Sequence, residues 1–294
     1  MVNLIRAEWQ KTVWNFWLTG FLVWAFPVGV LGFYLVMLIG GLFSREWMYG
    51  MLEVGAGTWT GDALGGWGMI LAFPFTVLSR MMPLAFMAAV FAGEYASGMW
   101  KNLIPRSRRA NLILAKVAVV IALMALAMTA MSAVTVAGQG IGRYLVGWEY
   151  GPALSGEELA SFASSYAQTF LLGTLTMIIL AAMAALAAIL TRSVLGSLLV
   201  VFGFSTLDSL SMYLLMLLAR IFSAPDLVNL YRYTPQCNID NARSWFSAGT
   251  AVPLPFENFS RGPDLAFSFL MLVFWAAGLT ALALVLFERQ DITS

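Results

Sequence analysis

Two ionisable side chains, Arg80 and Asp208, fall inside long apolar stretches of this chain. A charge at the centre of a bilayer costs at least about 2.5–3.5 kcal/mol unless it is paired or wetted, so such residues are read first as candidate functional groups. Arg80 lies 14 residues before Glu94, where its apolar stretch ends, and Asp208 lies 15 residues after Ser193, where another begins. At about 1.5 Å per residue both sit roughly 21–23 Å from the same boundary. One reading is an Arg80–Asp208 pair or a shared polar cavity. The other is two independent groups facing water-filled crevices. Ser205, Thr206, Ser209 and Ser211 surround Asp208; their hydroxyls can join helices together or line a polar path.

Other chemistry is missing. His is absent and Cys occurs once, at Cys237. Imidazole catalysis, haem ligation and an intrachain disulfide are therefore excluded, and neither a metal site nor catalytic residues are expected. The string Gly55-Ala56-Gly57-Thr58-Trp59-Thr60-Gly61 is glycine-rich but lacks the Lys-Ser/Thr ending of a phosphate-binding loop. An intramembrane enzyme would have Arg80 and Asp208 alone to work with. A proton-coupled transporter would use Asp208 as its proton carrier.

The elements that must position these groups are apolar helices. Of 294 residues 61% are apolar and 11% charged, with mean hydropathy +0.82. A soluble domain is nearer half apolar and a quarter charged. The expected fold is an all-α integral membrane protein, a single transmembrane domain over 1–294. Six spans of about 20 residues each fit this length. They are placed at about 17–43, 67–93, 111–137, 166–190, 193–219 and 264–287. Residues 1–16 read as an interfacial helix: Val2, Ile5, Trp9, Val13 and Phe16 recur at spacings of three and four. This opening run is too long for the apolar core of a signal peptide, and no small-residue cleavage site follows. Residues 44–66 read as a loop, and Pro27 as a kink in the first span. Ser155 and Glu158 have capping-box spacing, which starts a helix there that continues to about Leu190. Residues 220–263, with Pro225, Pro235, Pro253, Pro255 and Pro263, read as a long outer segment. The run Ala181, Ala182, Ala184, Ala185, Ala187 and Ala188 suits close packing, within the chain or between copies. A net charge of +1 gives no field for nucleic acid.

Between the second and third spans lies Glu94-Tyr95-Ala96-Ser97-Gly98-Met99-Trp100-Lys101-Asn102-Leu103-Ile104-Pro105-Arg106-Ser107-Arg108-Arg109. A short helix with aromatic and apolar residues, ended by Pro105, suits docking in a groove on another protein. The arginines alone also fit lipid headgroups. Eight Lys/Arg flank spans on this side and six on the other, so both termini are expected in the cytoplasm.

The whole pattern resembles the ABC-2 type permeases, the membrane subunits of ATP-binding-cassette exporters. The matching features are an N-terminal elbow helix with Arg6, Glu8 and Lys11, and Glu94-x-x-x-Gly98. Leu103-Ile104-Pro105-Arg106-Ser107-Arg108, Lys116 and the tail Phe287-Glu288-Arg289-Gln290-Asp291 follow. Met99 departs from the family's usual Thr. The resemblance implies a cytosolic coupling helix at 94–109 and a separate ATPase that docks on it. That partner would hold the ATP and Mg; no cofactor is expected in this chain. It also implies a second permease copy or paralogue, contact with membrane lipid, and the cytoplasmic (inner) membrane of a prokaryote. Carried over residue by residue, the ATPase contacts would be Glu94, Tyr95, Gly98, Trp100 and Leu103, with Arg6 and Lys11 on the elbow. Family substrates include drugs, peptides, lipids and polysaccharides. Aliphatic, Met-rich spans favour an amphipathic or lipid-like cargo here. A non-transporting assembly or sensor subunit would use the same spans and loop without moving anything. Cys237, in the outer segment, is expected to react with membrane-impermeant thiol reagents on intact cells provided that it is not buried.

Overall fold

The computed structural model describes residues 1–53, 55–71, 80–96, 108–254 and 261–290. Among them the helices are α1 (Val2–Trp14), a π-helical turn (Phe16–Phe21), α2 (Ala25–Phe43), α3 (Arg45–Leu52), α4 (Trp59–Leu71) and α5 (Met81–Ala96). They continue as α6 (Arg109–Val146), α7 (Gly156–Thr191), α8 (Val194–Ser209) and α9 (Ser211–Ile221). A 3₁₀ segment (Pro225–Tyr233), α10 (Pro235–Ala248) and α11 (Leu265–Arg289) complete the set. Four of the described helices, α2, α6, α7 and α11, are long and apolar enough to cross a membrane, and α8 with α9 makes a fifth if the bent pair is one span.

Helices α6 and α7 form the centre. At 38 and 36 residues they run about 54–57 Å, well beyond a hydrocarbon layer of about 30 Å. Against α6 pack α1, α2 and α4; against α7 pack α4, α5, α8 and α11. A helix apolar on every side belongs in an interior, and the second half of α7 obeys this. All six alanines from Ala181 to Ala188 are buried within the chain, so this small-residue run serves packing inside one copy. Helices α2 and α11 instead expose Leu42, Phe43, Leu270 and Phe274. Gly173 of α7 lies under the indole of Trp67, where a Cβ would enter the ring.

Several elements differ from the sequence expectation. The loop expected over 44–66 contains α3 and the start of α4. Ser44 Oγ accepts from Trp47 N at 3.3 Å and so caps α3. The single span expected at 17–43 is interrupted before α2 by the π-helical turn, which begins where Asn15 Oδ1 accepts from Leu18 N at 3.1 Å. The span expected at 193–219 bends by 68° between α8 and α9. There Ser211 Oγ donates to the Asp208 carbonyl at 2.6 Å, a side-chain bond that competes with the helical ladder and promotes bending. Two of the prolines read as loop markers, Pro225 and Pro235, start helical segments instead. Proline suits a first helical turn, where its missing N–H is not needed.

Helix α10 is tied to α11 by Asn241, whose Nδ2 donates to Pro263 O at 2.7 Å and to Ser268 Oγ at 2.8 Å. Cys237, also on α10, is packed with Val228, Tyr231 and Leu254 and is buried completely, at 0% exposure, so the condition for its use as a topology probe is not met.

Two outcomes follow from this packing. In the folded protein a maleimide should react with Cys237 far more slowly than with a cysteine placed at Leu154, which is 77% exposed; equal rates would contradict the described α10. Gly173→Ala should lower stability by about 1–3 kcal/mol through overpacking against Trp67, read as a reduced thermal midpoint in detergent. An unchanged midpoint would show that the contact yields.

Candidate functional site

Four charges meet where α1, α5 and α6 come together. Lys116 Nζ, on α6, donates to Glu8 Oε2 of α1 at 2.9 Å and to Glu94 Oε1 of α5 at 2.8 Å. Lys11 of α1 also pairs with Glu94 Oε1. Lys116 is 1% exposed and Glu94 2%, and Glu8 is buried as well; the Lys11 side chain is 41% exposed. The two carboxylates and two ammonium groups balance. Burial of any one charge is tolerable only because the others neutralise it. Helix α1 accordingly turns Glu8 and Thr12 inward and leaves Val2, Val13 and Trp14 exposed.

The same end of the molecule gathers the C-terminal ends of α7 and α11. Tyr95 Oη donates to Gln290 Oε1 at 2.7 Å, and Gln290 Nε2 donates to Ile189 O at 3.2 Å. Arg109 Nη1 donates to the carbonyls of Phe287, Glu288 and Gln290 at 2.7–3.0 Å. A guanidinium there answers carbonyls that the end of α11 leaves without helical partners. Glu94, at the end of α5, therefore lies in the charge cluster, and Arg109, at the start of α6, clamps the end of α11.

Of the sequence-derived ATPase contacts, Gly98, Trp100 and Leu103 lie outside the described residues. Arg6 is exposed. Glu94 is turned inward onto Lys116, so its side chain holds helices together instead of facing out. Tyr95 spends its hydroxyl on Gln290.

Arg80 and Asp208 belong to one polar network but make no direct ion pair. Arg80 is buried and donates to Ile70 O (2.8 Å), Ser205 Oγ (3.3 Å) and Gln236 Oε1 (3.4 Å). The backbone N–H of Gln236 donates to Asp208 Oδ1 at 3.1 Å, and its Nε2 donates to Asp240. Gln236, in the first turn of α10, thus joins the end of α4, the end of α8 and α10. Asp208 answers an N–H that the start of α10 would leave orphaned.

At the end far from the termini, Asp62 accepts from Ala56 N at 2.7 Å and from Tyr150 Oη at 3.0 Å. Arg143 lies between the rings of Trp148 and Tyr150 and donates to Leu52 O at 3.0 Å. Burial first, and then the Asp62 charge, push the Tyr150 phenol above its ordinary range. These contacts fasten α3, α4 and the overhanging end of α6 to one another.

Sequence reasoning named Glu8 and Lys116 as family marks but gave them no role, and it missed Gln236 and Gln290. Nothing in the local sequence marks the glutamines.

A family model described as "ABC-2 family transporter protein" matches residues 4–208, which takes in α1, the charge cluster and both Arg80 and Asp208. No curated protein matches the chain.

Removing one partner of a buried ion pair costs about 3–5 kcal/mol. Lys116→Met should therefore destabilise the protein on that scale, whereas Lys11→Met, at the exposed edge, should cost about 1 kcal/mol or less. Thermal unfolding of the purified variants checks the order; equal losses would show that burial does not govern this cluster.

Proposed function

The chain belongs to the ABC-2 transporter family, and from that premise we propose that it is the permease subunit of an ATP-driven exporter. It moves an amphipathic or lipid-like substrate, drug or peptide out of the cytoplasm. ATP and Mg bind a separate ATPase subunit, and a second permease copy or paralogue completes the complex. In this reading the protein lies in the inner membrane of a prokaryote with both termini cytoplasmic. Six spans arise when α4 and α5 are counted as the halves of one broken span and α8 with α9 as one bent span.

The observation that carries the proposal is the charge cluster. It ties α1 to both α5 and α6, the helices flanking the segment expected to receive the ATPase. A push on residues 97–107 is transmitted to α5 through Glu94, to α6 through Lys116 and Arg109, and to α11 through Gln290. Helix α6 then carries the displacement along its full length to the Arg143 and Asp62 contacts. Rigid-body movement of packed helices of this kind alternates access in two-state systems. Trp100, Leu103 and Arg6 are assigned to contact the ATPase. Glu94 is assigned to positioning. The Asp208 carboxylate is occupied by the start of α10, which favours an anchoring role over that of a proton carrier.

Purification of the tagged chain in mild detergent should bring down an ATP-binding-cassette ATPase, and Trp100→Ala or Leu103→Ala should weaken that retention. Glu94→Gln should keep the ATPase bound yet lower substrate-stimulated ATP turnover by about tenfold, a coupling loss near 1.4 kcal/mol. A folded chain that retains no ATPase, where a control complex of this type survives, would refute the exporter reading. Loss of the ATPase in Glu94→Gln would move Glu94 to the docking surface.

A further inference from the structure

A cavity of about 690 Å³ opens beside the α8–α9 bend, bounded by α4, α7, α9 and α10. Its volume lies within the range of about 300–1,000 Å³ typical of small-molecule sites. One wall is apolar, with Leu71, Leu172 and Met212. The lining also carries Asp240 and Arg243 of α10. Three residues apart on a helix, these two charges lie side by side, about 5–6 Å apart at Cβ. The Arg243 charge acts on Asp240, and Gln168 and Ser165 of α7 add polar groups to the lining. Asp240 is held in place by Gln236, whose Nε2 meets both its oxygens at 3.1 Å. Tyr213 and Phe246 line the same space.

We propose that this cavity binds a single-chain amphiphile with a zwitterionic phosphate–ammonium head. The phosphate lies on Arg243, whose planar fork matches it. The ammonium lies between the Asp240 carboxylate and the aromatic rings, the two features that recognise such a cation. The chain runs along Leu71, Leu172 and Met212. A purely anionic head would be repelled by Asp240, and a purely cationic head would be repelled by Arg243. The carboxylate and guanidinium side by side are met together by a zwitterion. The inference rests on the exporter reading and names its substrate class.

The test is direct binding to the purified full-length chain, without an ATPase, with lysophosphatidylcholine, lysophosphatidic acid and free phosphocholine as probes. Lysophosphatidylcholine should bind the wild type more tightly than lysophosphatidic acid. Arg243→Gln and Asp240→Asn should each weaken lysophosphatidylcholine by about tenfold or more, while Asp240→Asn should leave lysophosphatidic acid unharmed or improved. Should Arg243→Gln not fold, Gln168→Ala on α7 serves in its place, with the same direction expected. Unchanged lysophosphatidylcholine affinity in these variants would overturn the site. Equal affinity for the two lipids would overturn the zwitterion assignment, and full competition by phosphocholine alone would overturn the amphiphile. Because the ATPase is absent, a failure here leaves ATPase pairing untouched. A failure of pairing likewise leaves the binding constant standing.

Discussion

A lysine cannot keep its charge inside a packed, low-dielectric interior without an anion at hand, and Lys116 sits in such a place with Glu8 and Glu94 against it. The three side chains come from three helices. Moving α5 or α6 away from the others would leave Glu94 or Lys116 as an uncompensated buried charge, a penalty of several kcal/mol, while α1 brings one charge of each sign and gives Lys116 a second carboxylate and Glu94 a second ammonium. The cluster therefore makes these helices one mechanical unit. Such a constraint is worth more to a transmitter of force than to stability alone, since an apolar replacement of similar volume can be as stable as a buried ion pair.

The rest of the architecture extends that unit. Gln290 and Arg109 bring the ends of α7 and α11 onto it. Helix α6 carries it to the far end, where Arg143 is held between two aromatic rings. The network around Gln236 has a different character. It gathers the termini of α4, α8 and α10 beside the bend at Leu210, through hydrogen bonds of 2.8–3.4 Å from Arg80 and Gln236.

The sequence made the apolar helices legible because hydropathy over some twenty residues is a strong local signal. Ser155 could be read as a cap for the same reason: its partner, Glu158 N, lies three residues away. What escaped was either masked by composition or distant in the chain. The glycines of 55–66 hid α4, because glycine weakens a helix in isolation while packing on α6 and α7 decides its fate. Pro225 and Pro235 looked like breakers and are starters. The break at Leu210 has no proline to announce it. Arg80 and Asp208 were visible as a problem needing a solution, yet the solution runs through Gln236, 28 residues beyond Asp208. Glu8 and Lys116 are 108 residues apart, and only the fold shows that they touch.

The central claim is that α1 is bound to α5 and α6 through buried charge. A charge-swap cycle tests it most directly: Glu8→Lys, Lys116→Glu and the combined variant, compared by thermal unfolding of the purified chain. The account predicts that each single swap destabilises the protein and that the combination recovers much of the loss, with an interaction energy within about 0.5–3 kcal/mol. Losses that simply add, with no recovery, would contradict it.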